Sequence, residues 1–168
     1  MAEESTAISP IHNLSALDSA RLLLLNNSHA KETSELDDER LAALLGMAFY
    51  ARGVDRGATA FLVAFDHNAA YKNQNFEWFK ARRQPFVYID RVVVAETARG
   101  RGIAKALYDD LFAEAKLAGH ERVVCEVNID PPNPASEAFH SAMGFTAVGQ
   151  AAIHNGTKTV RYFEKTLA

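Results

Sequence analysis

The spacing of apolar positions changes several times along the chain, and each change marks an element. Phe86–Val94 is aromatic and β-branched and reads as the strongest strand in the sequence. It stops at a short turn rich in Gly and Arg. Ile103, Leu107, Leu111, Ala115 and Ala118 then recur every three or four residues, which predicts a helix closed by Gly119. Arg122–Val127 is another buried strand. Strand, crossover helix and strand imply a parallel, right-handed pair.

The same reading covers the flanks. Residues 1–13 are polar and read as a flexible arm, leaving residues 14–168 as a single domain. The apolar run Ala20–Leu25 reads as a first strand, broken at Asn26-Asn27. Ser34-x-x-Asp37, with Leu36, Leu41, Leu44 and Leu45, predicts capped helices. Gly46–Arg52 and Thr59–Phe65 form a hairpin around the turn at Asp55-Arg56-Gly57. Residues 67–84 are a long polar connection carrying Tyr71, Phe76, Trp78 and Phe79, with Asn75 capping a short helix that runs to Arg82. Asn133 and Pro134 fit the N-cap and first position of a helix ending at Gly144. Phe145–Val148 and Thr159–Phe163 close the sheet around Asn155-Gly156. The fold class is α/β (α+β), with a mixed sheet of about seven strands.

Composition narrows the function. The chain has 168 residues, of which 48% are hydrophobic, enough for a full core. A formal net charge of −3 argues against nucleic acid as a partner. The lone Cys125 lies in an apolar run, so neither an internal disulfide nor a cysteine metal site is expected. No apolar run reaches the ~18 residues of a membrane span, and the acidic N-terminus lacks the basic start of a signal peptide. A cytoplasmic location is the default expectation.

The turn between the strongest strand and its helix carries candidate chemistry. Amides at a helix start have no intrahelical partner, and the helix dipole is positive there, which suits phosphate. Gly100 and Gly102 allow a tight turn and close backbone approach, while Arg99 and Arg101 supply charge for phosphate oxygens. The alternative is an ordinary strand-to-helix turn. The P-loop pattern is missing, and Lys105 stands where a dinucleotide fingerprint needs glycine.

Arg99-x-x-Gly102-x-Ala104 resembles the Q/R-x-x-G-x-G/A signature of the GNAT superfamily of acetyl-CoA-dependent N-acetyltransferases. About 30 residues on, Asn133-x-x-Ser136-x-x-Phe139-His140-x-x-Met143-Gly144-Phe145 resembles the family's second hallmark. The resemblance spans residues from about 18 to 167. It implies the GNAT fold with a βαβ acetyl-CoA-binding core and no metal. It also implies that Arg99, Gly100, Arg101, Gly102, Ile103 and Ala104 hold the pyrophosphate. Backbone groups of Val92, Val93 and Val94 would pair with pantetheine, and Asn133, Ser136 and Phe139 would lie along the cofactor. A homodimer is a family-level expectation. In the family a tyrosine of the second motif often protonates the leaving thiolate; His140 stands there, so the acid role passes to an imidazole or lapses, with His140 structural.

The expected reaction is direct attack by a neutral amine on the acetyl-CoA thioester. A lysine-like amine has a pKa near ~10.4, so its neutral form at pH 7.4 costs ~4 kcal/mol, and a carboxylate is the usual remedy. Glu126, in Cys125-Glu126-Val127, resembles the base of the ribosomal-protein N-terminal acetyltransferases; Asp90 is the second candidate. Either carboxylate could instead be a buried partner of Arg91 or Arg122. A backbone N–H near Val92–Val94 would serve the oxyanion. Asn26, Asn27, His29 and Glu32 follow the first predicted strand, and Glu77, Trp78 and Phe79 lie in the long connection. They are the candidates for an acceptor site that suits a small-molecule or peptide amine. The rival function is an acyl-CoA-binding sensor that kept the cleft and lost turnover.

Overall fold

The computed structural model describes residues 10–168. It holds a seven-stranded mixed sheet in the order β1-β2-β3-β4-β5-β7-β6. The described chain clusters into two compact units, residues 10–63 with 91–110, and residues 64–90 with 111–168. No helix among the described residues is long and apolar enough to cross a membrane.

In the first unit, Ile11–Asn13, within the segment expected to be an arm, forms strand β1, paired antiparallel with β2 (Tyr50–Val54) through Ile11 and Val54. Residues 1–9 of that arm lie outside the described residues. The expected first strand at Ala20–Leu25 is instead helix α1 (Ser19–Ser28). Four leucines in a row fit a strand by hydropathy, but leucine is a strong helix former. A helical turn at Ala16–Asp18 starts it, with the Asp18 carboxylate accepting from the Ser15 amide at 2.9 Å. Leu22 and Leu25 are buried, while Leu24 is 75% exposed, so the run shows helical rather than strand burial.

A short helix α2 (Ala30–Thr33) leads to α3 (Asp38–Met47), which Asp37 caps by accepting from the Arg40 amide at 2.8 Å. Gly46 and Met47, expected in a strand, end α3. Strand β3 (Ala60–Asp66) follows the turn at residues 55–57. Gly53 of β2 lies against β3 so closely that a Cβ there would sit 2.6 Å from the Ala60 carbonyl oxygen.

In the second unit the long connection folds as helix α4 (Gln74–Arg82). Its cap is Asn73, which accepts from the amides of Asn75 and Phe76, and not Asn75 as expected. Asn75 is turned inward and buried. Strand β4 (Val87–Val94) runs parallel to β5 (Arg122–Asp130), with Val87 opposite Val123 and Tyr88 opposite Val124. Helix α5 (Ile103–Leu117) connects them. Helix α6 (Pro134–Ala142) follows β5, and β6 (Thr146–Ile153) and β7 (Lys158–Thr166) finish the sheet as an antiparallel pair. Phe76, Phe79, Phe86, Tyr88 and Tyr162 are all buried, giving this unit an aromatic core.

Candidate active site

The glycine–arginine loop lies in the first unit. The end of β4 alternates, with Arg91 and Val93 buried and Val92 and Val94 half-buried. A short helical turn at Glu96–Ala98 follows. Gly100 and Gly102 then take φ of +80° and +75°, the left-handed region that favours glycine. A Cβ built at either would meet no atom within 4 Å, so the backbone faces open space. The helical ladder of α5 begins with the Ala106 amide donating to the Gly102 carbonyl at 3.0 Å. The amides of Ile103, Ala104 and Lys105 precede that ladder. Arg99 and Arg101 are exposed on the same loop. This donor set fits a pyrophosphate: amides at the start of a 15-residue helix, two flanking guanidinium groups and no side chain in the way.

The second unit holds a carboxylate network. Glu126, on β5, accepts from the Tyr88 hydroxyl on both oxygens, at 2.9 and 2.8 Å. The Asn75 side chain also acts on the Glu126 carboxyl, lowering its pKa. Asn75 Oδ1 accepts from the Tyr162 hydroxyl at 2.9 Å, and Tyr162 is the cross-strand neighbour of Glu126 on β7. Burial pushes the Glu126 carboxyl up to about 7, and the nearby Asp90 charge pushes the same way; the bond from Tyr88 and the polar side chain of Asn75 act against both. Burial raises the Tyr88 hydroxyl well above its ordinary value, with Glu126 adding to it, and raises Tyr162 to about 12. Both phenols therefore stay protonated donors at neutral pH. Asp90 accepts from the Tyr71 hydroxyl. Trp78 stacks on Tyr162 with ring centroids 4.1 Å apart, and the Arg82 guanidinium carbon lies 4.6 Å from the Trp78 ring centroid.

The arginines offered as ion-pair partners for these carboxylates have oxygens of their own. Arg91 is buried, and its Nη1 donates to Asn26 Oδ1 at 2.9 Å. Arg122 donates to the Arg83 carbonyl at 2.7 Å and pairs with Glu164 at 3.1 Å.

Helix α6 carries the second motif. Asn133 is its N-cap, accepting from the Ser136 amide at 3.2 Å. Ser136 and Phe139 are half-buried. His140 is 5% exposed, and its ring packs against Phe139 and Phe145 at 5.3 and 5.2 Å. Its Nδ1 lies 2.8 Å from the Ser136 carbonyl oxygen, so Nδ1 carries the proton, and burial lowers its pKa. The neutral ring then has no proton at Nε2. Of the two roles open to His140, the packing role fits this environment.

The acceptor candidates separate. Asn26 donates to the Ser34 carbonyl at 2.8 Å and accepts from Arg91. Asn27 exchanges two bonds with the Leu36 backbone, both at 2.9 Å. His29 Nδ1 lies 3.0 Å from the Leu25 carbonyl at the end of α1. These three fasten the α1–α3 connection, and the Glu32 side chain lies outside the described residues. Glu77 is exposed in the first turn of α4, and Trp78 is half-buried on the same helix. Sequence reasoning did not single out Tyr162, which lies opposite Glu126, or the bond from Tyr71 to Asp90. The available signal was the buried-aromatic density of residues 71–79.

A βαβ core with a loop suited to phosphate at the start of its helix is a cofactor-binding arrangement. The acetyltransferase (GNAT) family model matches residues 28–145, and the chain belongs to that family. Solved structures share the fold at low identity. Ard1 from Thermoplasma volcanium is 16% identical with a TM-score of 0.74, over 96% of this chain and 99% of that one. A ribosomal-protein-alanine N-acetyltransferase from Brucella melitensis is 20% identical with a TM-score of 0.70, over 94% and 99%. The putative acetyltransferase yncA from Salmonella typhimurium, solved with its cofactor acetyl-CoA, is 20% identical with a TM-score of 0.66, over 95% and 94%. A comparison with curated protein sequences finds no match.

Proposed function

We propose that the protein transfers the acetyl group of acetyl-CoA to a primary amine of a small molecule or peptide, by direct attack, with Glu126 as general base. The observation that carries this reading is the Glu126 carboxylate held on both oxygens by the Tyr88 hydroxyl, with burial raising its pKa to about 7. A base near the working pH is ionised often enough to act and basic enough to take an ammonium proton. The Brucella neighbour is named for acetylating an alanine amine, which supports an α-amino acceptor among the candidates.

Residues 99–104 hold the cofactor pyrophosphate, with backbone groups of Val92–Val94 along the pantetheine and Asn133, Ser136 and Phe139 beside it. Glu126 takes a proton from the ammonium form of the amine, the neutral amine attacks the thioester carbon, and the tetrahedral intermediate expels CoA thiolate, which takes up the second nitrogen proton. A thiol of ordinary pKa near ~8.5 leaves as thiolate with little assistance. That removes the need for an acid at position 140. Asp90, with Tyr71, contributes negative potential that attracts the incoming ammonium.

CoA thiol release from acetyl-CoA, assayed with amines, polyamines, amino acids and N-terminal peptides across pH 6 to 9, tests the reading. Amine-dependent release confirms the enzyme and identifies its acceptor class. Tight CoA binding with no release for any amine would instead support the sensor. Gly102→Ala tests the loop. A residue with a Cβ at φ +75° is strained by about 1–2 kcal/mol. The KM for acetyl-CoA should rise about tenfold with the amine KM unchanged; an unchanged acetyl-CoA KM would remove the loop from cofactor binding.

A further inference from the structure

We propose that Arg91 is a positioning residue for the cofactor: it fastens the end of β4 to the α1–α3 connection and so holds the backbone of Val92–Val94 in place for pantetheine. This rests on the reading of Val92–Val94 as the stretch that lies along the pantetheine.

The alternation along β4 sets the geometry. Val92 and Val94 are half-buried, whereas Arg91 and Val93 are buried. Successive side chains of a strand point to opposite faces, so Arg91 projects away from the face that carries Val92. Only 9% of Arg91 is exposed, although its guanidinium is always charged. A cation so placed needs its donors satisfied. Its Nη1 donates to Asn26 Oδ1 at 2.9 Å and reaches the Ser34 carbonyl at 3.4 Å. Asn26 is itself fully buried, and its Nδ2 donates to the same Ser34 carbonyl at 2.8 Å and to Asn27 Oδ1 at 3.0 Å. Asn27 carries the network on to the Leu36 backbone.

The fastened segment is strained. Ser34 has φ of +74°, the left-handed region that a residue with a Cβ avoids. Such a conformation persists where its surroundings over-determine it. The two donors on the Ser34 carbonyl, one from Arg91 and one from Asn26, supply that constraint. Just past Val94, the Ala95 amide donates to the Thr59 carbonyl at 2.8 Å. Residues 92–94 therefore run between two fixed points, Arg91 before them and Ala95 after them. A backbone that must meet a ligand group by group tolerates little displacement, because a shift of about 1 Å can cost on the order of a hundredfold.

The test is the dissociation constant of CoA, measured by isothermal titration calorimetry, for wild type, Arg91→Met and Arg91→Lys, and for each variant combined with Ser34→Gly. Arg91→Met keeps an unbranched apolar stem and removes every donor, and should weaken CoA binding about tenfold. Arg91→Lys keeps the charge without the planar fork and should weaken it less, about threefold. Glycine adopts the left-handed conformation without strain. Ser34→Gly added to either variant should therefore recover part of the loss. A role confined to stability would lower the urea midpoint of Arg91→Met and leave its CoA binding alone. Should Arg91→Met fail to fold, Arg91→Lys with and without Ser34→Gly decides. CoA bound at wild-type strength by the folded Arg91 variants, or a loss that Ser34→Gly leaves untouched, overturns the proposal. The two readings fail separately. A wild type that does not bind CoA, or a Gly102→Ala that binds it unchanged, sinks the cofactor reading. A weakened Gly102→Ala beside unaffected Arg91 variants sinks only the role of Arg91.

Discussion

Glu126→Gln is expected to lower kcat/KM by about 100- to 10,000-fold, the range that a positioned general base supplies. The same substitution should make the folded protein more stable at alkaline pH. The Glu126 carboxyl is raised from 4.5 to about 7, so the folded state holds its proton more tightly than the unfolded chain. Stability then falls as pH rises from about 4.5 to about 7, and the full cost of the buried charge is present above that. At about 1.36 kcal/mol per pH unit, the cost is up to about 3 kcal/mol. Glutamine stays neutral, and its carbonyl still accepts from Tyr88. Urea unfolding at pH 4 and pH 8 reads the effect. Glu126→Gln should match wild type at pH 4 and exceed it at pH 8. A variant that keeps wild-type turnover, or that loses stability at pH 8, would contradict the assignment.

Phe79→Ala is the second large effect, and it acts through packing. Phe79 is fully buried, with ring centroids 5.1 Å from both Trp78 and Tyr162 and 6.1 Å from both Phe86 and Tyr88. Truncating a buried phenylalanine costs about 3–5 kcal/mol, because transfer energy and a residual cavity add. The position lies one helical turn after Asn75, so loosening it also loosens the amide that accepts from Tyr162. Guanidinium melts followed by circular dichroism should show the loss, and Phe79→Leu should recover more than half of it. A loss below about 1 kcal/mol would mean that the aromatic core repacks around α4 without cost.

Much of the fold was legible because strong periodicity and capping signals agreed. The strand at residues 86–94, the glycine turn, the long helix and the Asn133-Pro134 start each had two independent signals, and each forms as read. Ala20–Leu25 failed because four adjacent leucines carry no period, so only intrinsic propensity could decide between helix and strand. The cap of α4 was misplaced by two residues, since Asn73 and Asn75 are the same residue type and only tertiary burial separates them. The carboxylate on β5 could be suspected from its motif. Its surroundings could not, because Tyr88 and Tyr162 come from distant segments that only the sheet order brings beside it. Asn26, Asn27 and His29 looked like ligand groups because a polar loop gives no hint of which backbone oxygens its side chains will satisfy.

Trp78 is the single tryptophan in the chain. It lies against Gly149, where a Cβ would come within 2.5 Å of its ring, and it is stacked on Tyr162, the cross-strand neighbour of Glu126. The protein thereby contains a built-in optical probe. Its one indole lies one ring away from the ionising carboxylate, so a fluorescence titration of the unlabelled protein is expected to follow the charge state of the site without any substrate present.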